Sequence, residues 1–160
     1  MLPMKINKTN AARLLDKAGV KYELIPYQVD ETDLSAVHVA SVLGEDVCRV
    51  YKTIVLRGDR NGIFVCVVPG EAEVDLKKAA KVSGNKSAAT VHVRELLGLT
   101  GYIRGGCSPV GMKKPYPVFI SSDVLAFDYV FVSAGVRGLQ MKLAPSDLIK
   151  ATGAVAADIV

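Results

Sequence analysis

Hydrophobic residues in this chain fall into short runs with two distinct periods. Within residues 36–43 they recur every three or four positions, which predicts an amphipathic helix that ends at Gly44. Residues 50–56 and 63–68 are mostly apolar and flank an Asn-Gly pair, so they predict a β-hairpin. The first half of the chain therefore mixes helix and strand signals.

The remaining elements are predicted from capping residues and from shorter apolar runs. Helices are expected after Thr9 or Asn10, after Asp75, over residues 93–97 and from Pro145 onward. Strands are expected at residues 20–27, 88–91, 118–120, 129–133 and 139–143, and Pro26 favours an edge position for the first of them.

Helices do not alternate regularly with strands, so we expect a mixed α+β fold. It would be built around a twisted, barrel-like sheet with short helices packed around it. A chain of 160 residues fits one domain, and residues 1–160 are expected to form it.

Composition narrows the class of protein without identifying a chemistry. Half of the residues are hydrophobic and 22% are charged, which excludes a disordered chain. The three cysteines are odd in number and lack C-x-x-C spacing, so a disulfide scaffold is not expected. A reduced, cytoplasmic location is expected instead. No apolar run approaches the length of a membrane span, and the first residues lack the pattern of a signal peptide. The net charge of +4 is compatible with an anionic partner, although six Tyr, four Phe and no Trp argue against a platform for many bases.

The common catalytic motifs are missing from the sequence. It contains no phosphate-binding loop, no dinucleotide fingerprint, no zinc-ligand spacing and no nucleophile elbow. The two histidines, His38 and His92, lie outside any such motif and are expected to be structural or solvated. An enzyme with this sequence has little conventional equipment for nucleophilic or general-base catalysis, and neither a metal nor a cofactor is expected.

Lys52 is the first candidate functional residue because it interrupts an apolar strand. Strand side chains alternate, so Lys52 shares a face with Ile54 and Leu56. A lysine on such a face is costly unless its ammonium reaches solvent or meets an anion. Two interpretations remain open: a solvated side chain near the strand end, or an ammonium that anchors a phosphate or polarises a carbonyl.

A second candidate is the segment 100–117, which is dense in glycine and proline. Glycines allow backbone N–H groups to approach a ligand closely and to form anion-binding nests. An ordinary surface loop would have the same spacing, and Lys113 and Lys114 beyond it are either phosphate ligands or a solvated pair. The small-residue turn 133–138, which begins at Ser133, is either a tight hairpin or a further set of donors at the same place.

Taken together and in order, segments 50–53, 74–78, 100–111 and 132–139 resemble the YbaK/EbsC family of aminoacyl-tRNA editing proteins. The likeness runs over nearly the whole chain. It implies a mixed α+β fold with a barrel-like sheet, similar to the editing domain inserted in bacterial prolyl-tRNA synthetases. It also implies a free-standing deacylase that removes cysteine from mischarged Cys-tRNA(Pro) and also from Cys-tRNA(Cys).

The resemblance also implies roles for individual residues. The family's essential strand lysine falls on Lys52, its pocket tyrosine on Tyr27 and its pocket serine on Ser133. Its glycine-rich loop, which holds the 3′-terminal adenosine and the aminoacyl ester, falls on Gly101, Gly105, Gly106, Ser108, Pro109 and Gly111. Catalytic roles are implied for Lys52, Gly101 and Gly106, and binding roles for the others. Gln140 stands where the family has an acidic residue, which leaves the amino-acid selectivity of this chain open.

The chemistry implied by the resemblance needs no nucleophile from the protein. The thiol of the substrate's own cysteine attacks the ester carbonyl, which releases free tRNA and a cysteine thiolactone, a lyase-like outcome. Cys48, Cys66 and Cys107 are therefore expected to be dispensable. Gly106 is expected to need a positive φ and to face the tRNA end, so that a β-branched substitution would weaken substrate binding more than stability.

Two alternatives remain beside this hypothesis. One is hydrolysis of another small aminoacyl ester, alanyl- or seryl-tRNA, by activated water. The other is a catalytically silent module that binds tRNA ends or a synthetase. The expected partner is the aminoacylated 3′ acceptor end of tRNA, with recruitment through prolyl-tRNA synthetase, and neither DNA nor a membrane is expected.

Overall fold

The helices of this protein are short, and most of them begin at a residue that can cap them. The computed structural model describes residues 7–160. The side chains of Thr9, Ser35 and Asp75 accept backbone hydrogen bonds at the first turns of three helices, and Pro145 opens another. The helices are α1 Asn10–Lys17, α2 Ala36–Leu43, α3 Leu76–Val82, α4 Val93–Thr100 and α5 Pro145–Thr152, with 3₁₀ helices at Val47–Arg49 and Ser122–Ala126.

The strands form two sheets. They are β1 Tyr22–Pro26, β2 Tyr51–Gly58, β3 Gly62–Pro69, β4 Ala88–Thr90, β5 Val118–Ser121, β6 Val130–Ser133, β7 Leu139–Leu143 and β8 Val155–Ala157. The larger sheet has the order β4-β2-β3-β5-β8, and the smaller one has the order β1-β7-β6. The predicted hairpin is the antiparallel pair β2–β3, whereas β3–β5 and β5–β8 are parallel.

The α+β class is confirmed, but the single barrel-like sheet is replaced by two separate sheets. The reason is that β2 and β6 approach each other without forming a ladder. Only one isolated bridge, Val50 to Phe131, joins them within residues 7–160, so the barrel does not close. The edge position predicted from Pro26 is confirmed, because β1 pairs on one side only.

The core fills the space between the sheets and also covers the outer face of the larger one. Val65 and Val67 of β3 pack in the main cluster, which also contains residues of β6 and β7. Phe64, Cys66 and Val68, on the opposite face of β3, pack with α3 and the last residues of the chain. Both faces of β3 are therefore buried, which explains why residues 63–68 form a continuous apolar run instead of an alternating one.

The edge of β2 beside β4 is covered only in part. β4 pairs with Leu56–Gly58, and residues 51–55 have no strand on that side. The start of α2 and the start of α4 approach this gap, and the candidate site lies there. No helix within residues 7–160 combines the length and the apolarity needed to cross a bilayer.

Candidate active site

A cleft of about 670 Å³ opens at the uncovered edge of β2. All of residues 50–55 line it, so the strand meets the cleft with its edge and not with one face. Other walls come from residues 32–36, from residues 90–93 and from the glycine-rich loop. Of the predicted site residues, four line the cleft: Lys52, Gly105, Ser133 and Gln140.

Lys52 lines the cleft with a side chain that is only partly exposed. The side chain is 25% exposed, and its Nζ lies 3.6 Å from Glu73 Oε1, whose side chain is 92% exposed. Leu56, on the same strand face, is fully buried. An ion pair with so exposed a partner contributes little stability. The ammonium can therefore exchange Glu73 for an anionic ligand in the cleft.

Three residues that line the cleft each carry a buried polar atom with no hydrogen-bond partner among residues 7–160. These atoms are the hydroxyl oxygens of Tyr51 and Thr53 and the Oε1 atom of Gln140. A buried polar group left unpaired costs about 1–3 kcal/mol, so such atoms are normally satisfied by a ligand or by water. Burial raises the pKa of Tyr51, which keeps its phenol protonated and able to donate. These atoms suit a ligand rich in hydrogen-bonding groups.

The backbone of Thr53 adds further polar groups at the same edge. Val55 directs its carbonyl away from β3, where it accepts a hydrogen bond from the Val91 N–H at 3.1 Å. In an antiparallel strand, every second residue directs both its N–H and its C=O to the same side. Thr53 therefore points its backbone donor and acceptor toward the cleft, in the part of β2 that β4 leaves uncovered.

Ser133 and Gln140 stand opposite each other on β6 and β7. The Ser133 hydroxyl accepts a hydrogen bond from the Gly135 N–H at 3.1 Å. Gln140 lies on the central strand of the smaller sheet and is only 5% exposed. Its amide supplies a donor and an acceptor without the negative charge of a carboxylate.

Tyr27, the predicted pocket tyrosine, does not line the cleft. Its backbone N–H donates to the Gly138 carbonyl at 2.9 Å, and its side chain packs with the cluster that contains Val39 and Phe131. Tyr27 thus lies beside the wall formed by α2, one layer away from the residues that line the cleft.

Most of the predicted residues of the glycine-rich loop lie outside the lining of the cleft. Gly105 lines the cleft and has a left-handed φ of +82°. Gly101, with φ +85°, ends α4, and Ser108 is fully buried with its hydroxyl accepting from the Val110 N–H at 3.2 Å. Pro109 is likewise buried, and Gly111 has a φ of +78°. Gly101, Gly106, Ser108, Pro109 and Gly111 do not line the cleft.

The backbone at Gly106 differs from the expectation of a positive φ. Its φ lies outside the left-handed region, unlike that of Gly105 beside it. Gly106 is buried, and a Cβ atom there would lie 3.2 Å from three backbone atoms of Val136 and Arg137. Gly106 is therefore a packing contact between the loop and the turn after β6.

Substitution of Gly106 by valine is expected to lower stability as well as activity. The added side chain must push apart two backbone segments, and overpacking of this kind costs about 1–3 kcal/mol. Chemical denaturation of the wild type and of Gly106→Val measures the loss. An unchanged denaturation midpoint would contradict the packing role of Gly106. Gly98→Val is the matched control, since nothing lies within 4 Å of a Cβ at Gly98.

Cys107 lines the cleft, but its thiol is in the wrong state for a nucleophile. Burial raises its pKa to about 12, so the unreactive neutral thiol dominates near pH 7. Burial also raises the pKa of Cys66 to about 12 and that of Cys48 above its ordinary value. Each of the three cysteines therefore remains a thiol at neutral pH.

If the protein cleaves the aminoacyl ester that the family resemblance implies, substitution of Cys107 by alanine is expected to leave the rate within about threefold of wild type, because a neutral thiol supplies no nucleophile. Single-turnover measurement of ester loss, with the melting temperature as a check on folding, tests this expectation. Loss of activity in a folded Cys107→Ala protein would instead identify the Cys107 thiolate as the nucleophile.

Several residues that line the cleft were not predicted from the sequence. They reach the edge of β2 only through tertiary packing, for which the sequence carries no local signal. Examples are Leu34 just before α2, Val39 within α2, His92 at the N-cap of α4 and Leu96 within α4. His92 was expected to be structural or solvated; it is exposed and caps α4, and it also lines the cleft. Thr53 could have been found, because it follows Lys52 within the resembling segment 50–53.

Comparison with known proteins identifies a family for this chain. A sequence model of the aminoacyl-tRNA editing domain matches residues 31–151. An Enterococcus faecalis protein named "Putative Cys-tRNA(Pro)/Cys-tRNA(Cys) deacylase EbsC" is 43% identical over 152 residues, which cover 95% of this chain and 93% of that protein. A proline–tRNA ligase of Fervidobacterium nodosum is 34% identical over 79 residues, which cover 49% of this chain and 14% of the ligase.

The fold is also found among solved structures. The crystal structure of "a putative trans-editing enzyme for prolyl tRNA synthetase" aligns with a TM-score of 0.79 at 26% identity, over 96% of this chain and 98% of that one. The family model covers most of the sequence, and the Enterococcus protein matches it almost from end to end. The chain therefore belongs to the aminoacyl-tRNA editing domain family.

Proposed function

We propose that this protein is a free-standing trans-editing deacylase that removes cysteine from mischarged Cys-tRNA(Pro) and from Cys-tRNA(Cys) in the cytoplasm. In this proposal, residues 1–160 act as one editing domain. The observation that carries the proposal is the shared cleft of Lys52, Gly105, Ser133 and Gln140, in a chain 43% identical to the EbsC protein. Recruitment through prolyl-tRNA synthetase is part of the proposal, supported by the names of the ligase and of the trans-editing enzyme that the chain resembles.

The proposed reaction takes its nucleophile from the substrate. The sulfur of the cysteinyl group attacks the carbonyl carbon, a C–S bond forms, and the bond from that carbon to the ribose oxygen breaks. The ribose oxygen gains the proton that the thiol loses. The products are tRNA with a free terminal hydroxyl group and a cysteine thiolactone, which water then opens. Holding sulfur and carbonyl in attack geometry can supply about 7–11 kcal/mol in favourable intramolecular reactions.

The cleft provides groups for the terminal nucleotide, for the ester carbonyl and for the amino group of this substrate. Lys52 would bind the phosphate of the terminal nucleotide or the ester region through its ammonium. The backbone N–H groups at Gly105 and Thr53 would stabilise the negative charge that develops on the carbonyl oxygen. The Gln140 amide, with its unpaired Oε1, would accept a hydrogen bond from the substrate's amino group. No conventional catalytic base is needed in this scheme.

Gln140 also favours a second candidate function. The resemblance implies an acidic residue at this position, whereas this chain has the neutral amide of Gln140, so the selectivity for the amino acid can differ. The second candidate is hydrolysis of alanyl- or seryl-tRNA by water in the same cleft. It would use the same tRNA end and the same lysine.

The test is turnover of purified aminoacyl-tRNAs by the purified protein. With the amino acid of each substrate labelled, we expect rapid release of cysteine from Cys-tRNA(Pro) and Cys-tRNA(Cys). Release of proline from Pro-tRNA(Pro) should be slow. Early product should be thiolactone, detected by mass spectrometry before it hydrolyses. Cleavage confined to alanyl or seryl esters would support the second candidate. Tight binding of tRNA without cleavage would identify a silent binding module.

A further inference from the structure

Arg137 connects the irregular segments that form part of the wall of the cleft. Its Nη1 donates to Glu31 Oε2 at 2.7 Å, and its Nε donates to the Arg104 carbonyl at 2.9 Å. Glu31 lies between β1 and α2, and Arg104 lies in the glycine-rich loop. Arg137 itself lies in the turn between β6 and β7. One guanidinium group thus links three segments that are distant in sequence.

These segments meet at Gly105, the glycine that lines the cleft. A Cβ atom on Gly105 would lie 3.3 Å from Arg137 Nε and 3.3 Å from the side chain of Leu34. Leu34 also lines the cleft. Gly106, next in sequence, packs against the backbone of residues 136 and 137. A shift of Arg137 would therefore move both Gly105 and Leu34.

In the described part of the chain, few hydrogen bonds join residues 103–107 to distant segments, whereas the turn that carries Arg137 is hydrogen-bonded to β1. Within residues 7–160, the Arg104 carbonyl is the one main-chain group of residues 103–107 that hydrogen-bonds to a distant segment. The Gly106 N–H bonds inside the loop, to the Ile103 carbonyl. By contrast, the Gly138 carbonyl accepts from the Tyr27 N–H at 2.9 Å, which fixes the turn to the end of β1. Arg137 thus supplies a long-range hydrogen bond from this turn to the backbone of residues 103–107.

We propose that Arg137 is a positioning residue for deacylation, which holds Gly105 and Leu34 where the aminoacyl ester binds. This inference rests on the proposed function, because it concerns the same cleft. The side chains of Arg137 and Glu31 are 29% and 68% exposed, and ion pairs this exposed add little to global stability. Removal of the guanidinium therefore affects the local order of the cleft wall more than the folding of the chain.

The first test replaces Arg137 with glutamine. We expect kcat/KM to fall by about 10- to 100-fold, since displacement of a positioned group by about 1 Å can have an effect of this size. Arg49→Gln is the matched control. Arg49 donates to Asp128 at 2.7 Å and to the Tyr129 carbonyl at 3.1 Å, and it does not line the cleft. Its variant should keep wild-type kcat/KM even if it melts at a lower temperature than Arg137→Gln.

A second variant separates positioning from direct contact with tRNA. Arg137→Lys keeps the charge but loses the fork that bonds two acceptors at once. We expect it to remain impaired, with the salt dependence of KM unchanged. Full activity of Arg137→Lys, or a salt slope for Arg137→Gln that is lower by about one, would show a phosphate contact and overturn the positioning role.

Amide hydrogen exchange provides a readout that needs no substrate. Exchange in residues 103–107 should be faster in Arg137→Gln and unchanged in Arg49→Gln. If the wild type is active while Arg137→Gln shows wild-type activity and wild-type exchange, this inference fails and the proposed function stands. If the wild type cleaves no ester, the proposed function fails, and with it the role of Arg137 in that reaction.

Discussion

Replacement of Lys52 by alanine is expected to lower the deacylation rate about 100-fold or more while the protein remains folded. Lys52 is the one lysine among the described residues that line the cleft, and the substitution removes its ammonium group. Loss of a single preorganised charged or polar donor at a reacting centre typically lowers the rate by about 10²–10³-fold. Folding should change little, because the ion pair of Lys52 is with the exposed Glu73. Single-turnover rates on Cys-tRNA(Pro), together with melting curves, measure both effects.

Lys78→Ala is the matched control for this prediction. Lys78 is also partly buried, and its Nζ donates to Asp158 at 3.0 Å and to the Val160 carbonyl at 2.7 Å, but it does not line the cleft. Its removal should reduce stability at least as much as the removal of Lys52, without affecting the rate. A folded Lys52→Ala protein with wild-type turnover would falsify the assignment of this cleft as the active site.

Exchange of the cysteinyl group of the substrate for a seryl group is expected to slow cleavage by about 100-fold or more. The two esters differ by one atom, but a thiol forms its nucleophilic anion near pH 8.5, whereas an alcohol remains protonated. A reaction that uses the substrate's own side chain is directly sensitive to this difference. The comparison requires tRNA(Pro) charged with each amino acid and one preparation of the protein. Equal rates on the two esters would exclude the thiolactone route and indicate an activated water.

The pH dependence provides a second measure of the same mechanism. The rate on the cysteinyl ester should rise with pH through the range in which the substrate's thiol ionises, around pH 8.5. The pKa of Cys107 is raised to about 12, so its ionisation lies above that range and adds nothing to the rise. The Cys107→Ala variant should therefore give the wild-type pH profile. A profile that loses its rise in this variant would identify a protein thiolate.

The elements that could be predicted from the sequence are those that local chemistry determines. Asp75 accepts from the backbone N–H groups of Lys77 and Lys78, so the start of α3 is visible in the sequence. The β2–β3 hairpin depends on a turn between neighbouring segments. The division into two sheets depends on the parallel pairs of β3, β5 and β8, which lie far apart in the chain. β8 has only three residues and carries no pattern of its own.

The site shows the same division. Lys52 stands out because a lysine in an apolar strand conflicts with its surroundings, a contrast that is visible in a single sequence. Gly105 and Gly106 look alike in the sequence, yet only Gly105 is in the left-handed region. Gly106 instead packs against residues 136 and 137, a contact between segments distant in the sequence. The Tyr51 hydroxyl lacks a hydrogen-bond partner among residues 7–160 because of the tertiary packing around it. The local sequence pattern gives no sign of this.

The short gap beside β2 also limits how far a strand of another chain could pair with this edge. An uncovered strand edge can pair with a strand of another chain and so start aggregation. Here the uncovered stretch, residues 51–54, spans only about 13 Å at about 3.3 Å per residue, because the Val55 carbonyl is already bonded to the Val91 N–H. β4 closes one end, and the bridge from Val50 to Phe131 closes the other. A long strand of another chain that paired with this edge would clash with β4 and with the bridged segment. A substrate whose end binds within the gap would contact neither. The protein thereby exposes backbone donors and acceptors to its ligand without offering a continuous edge to other chains.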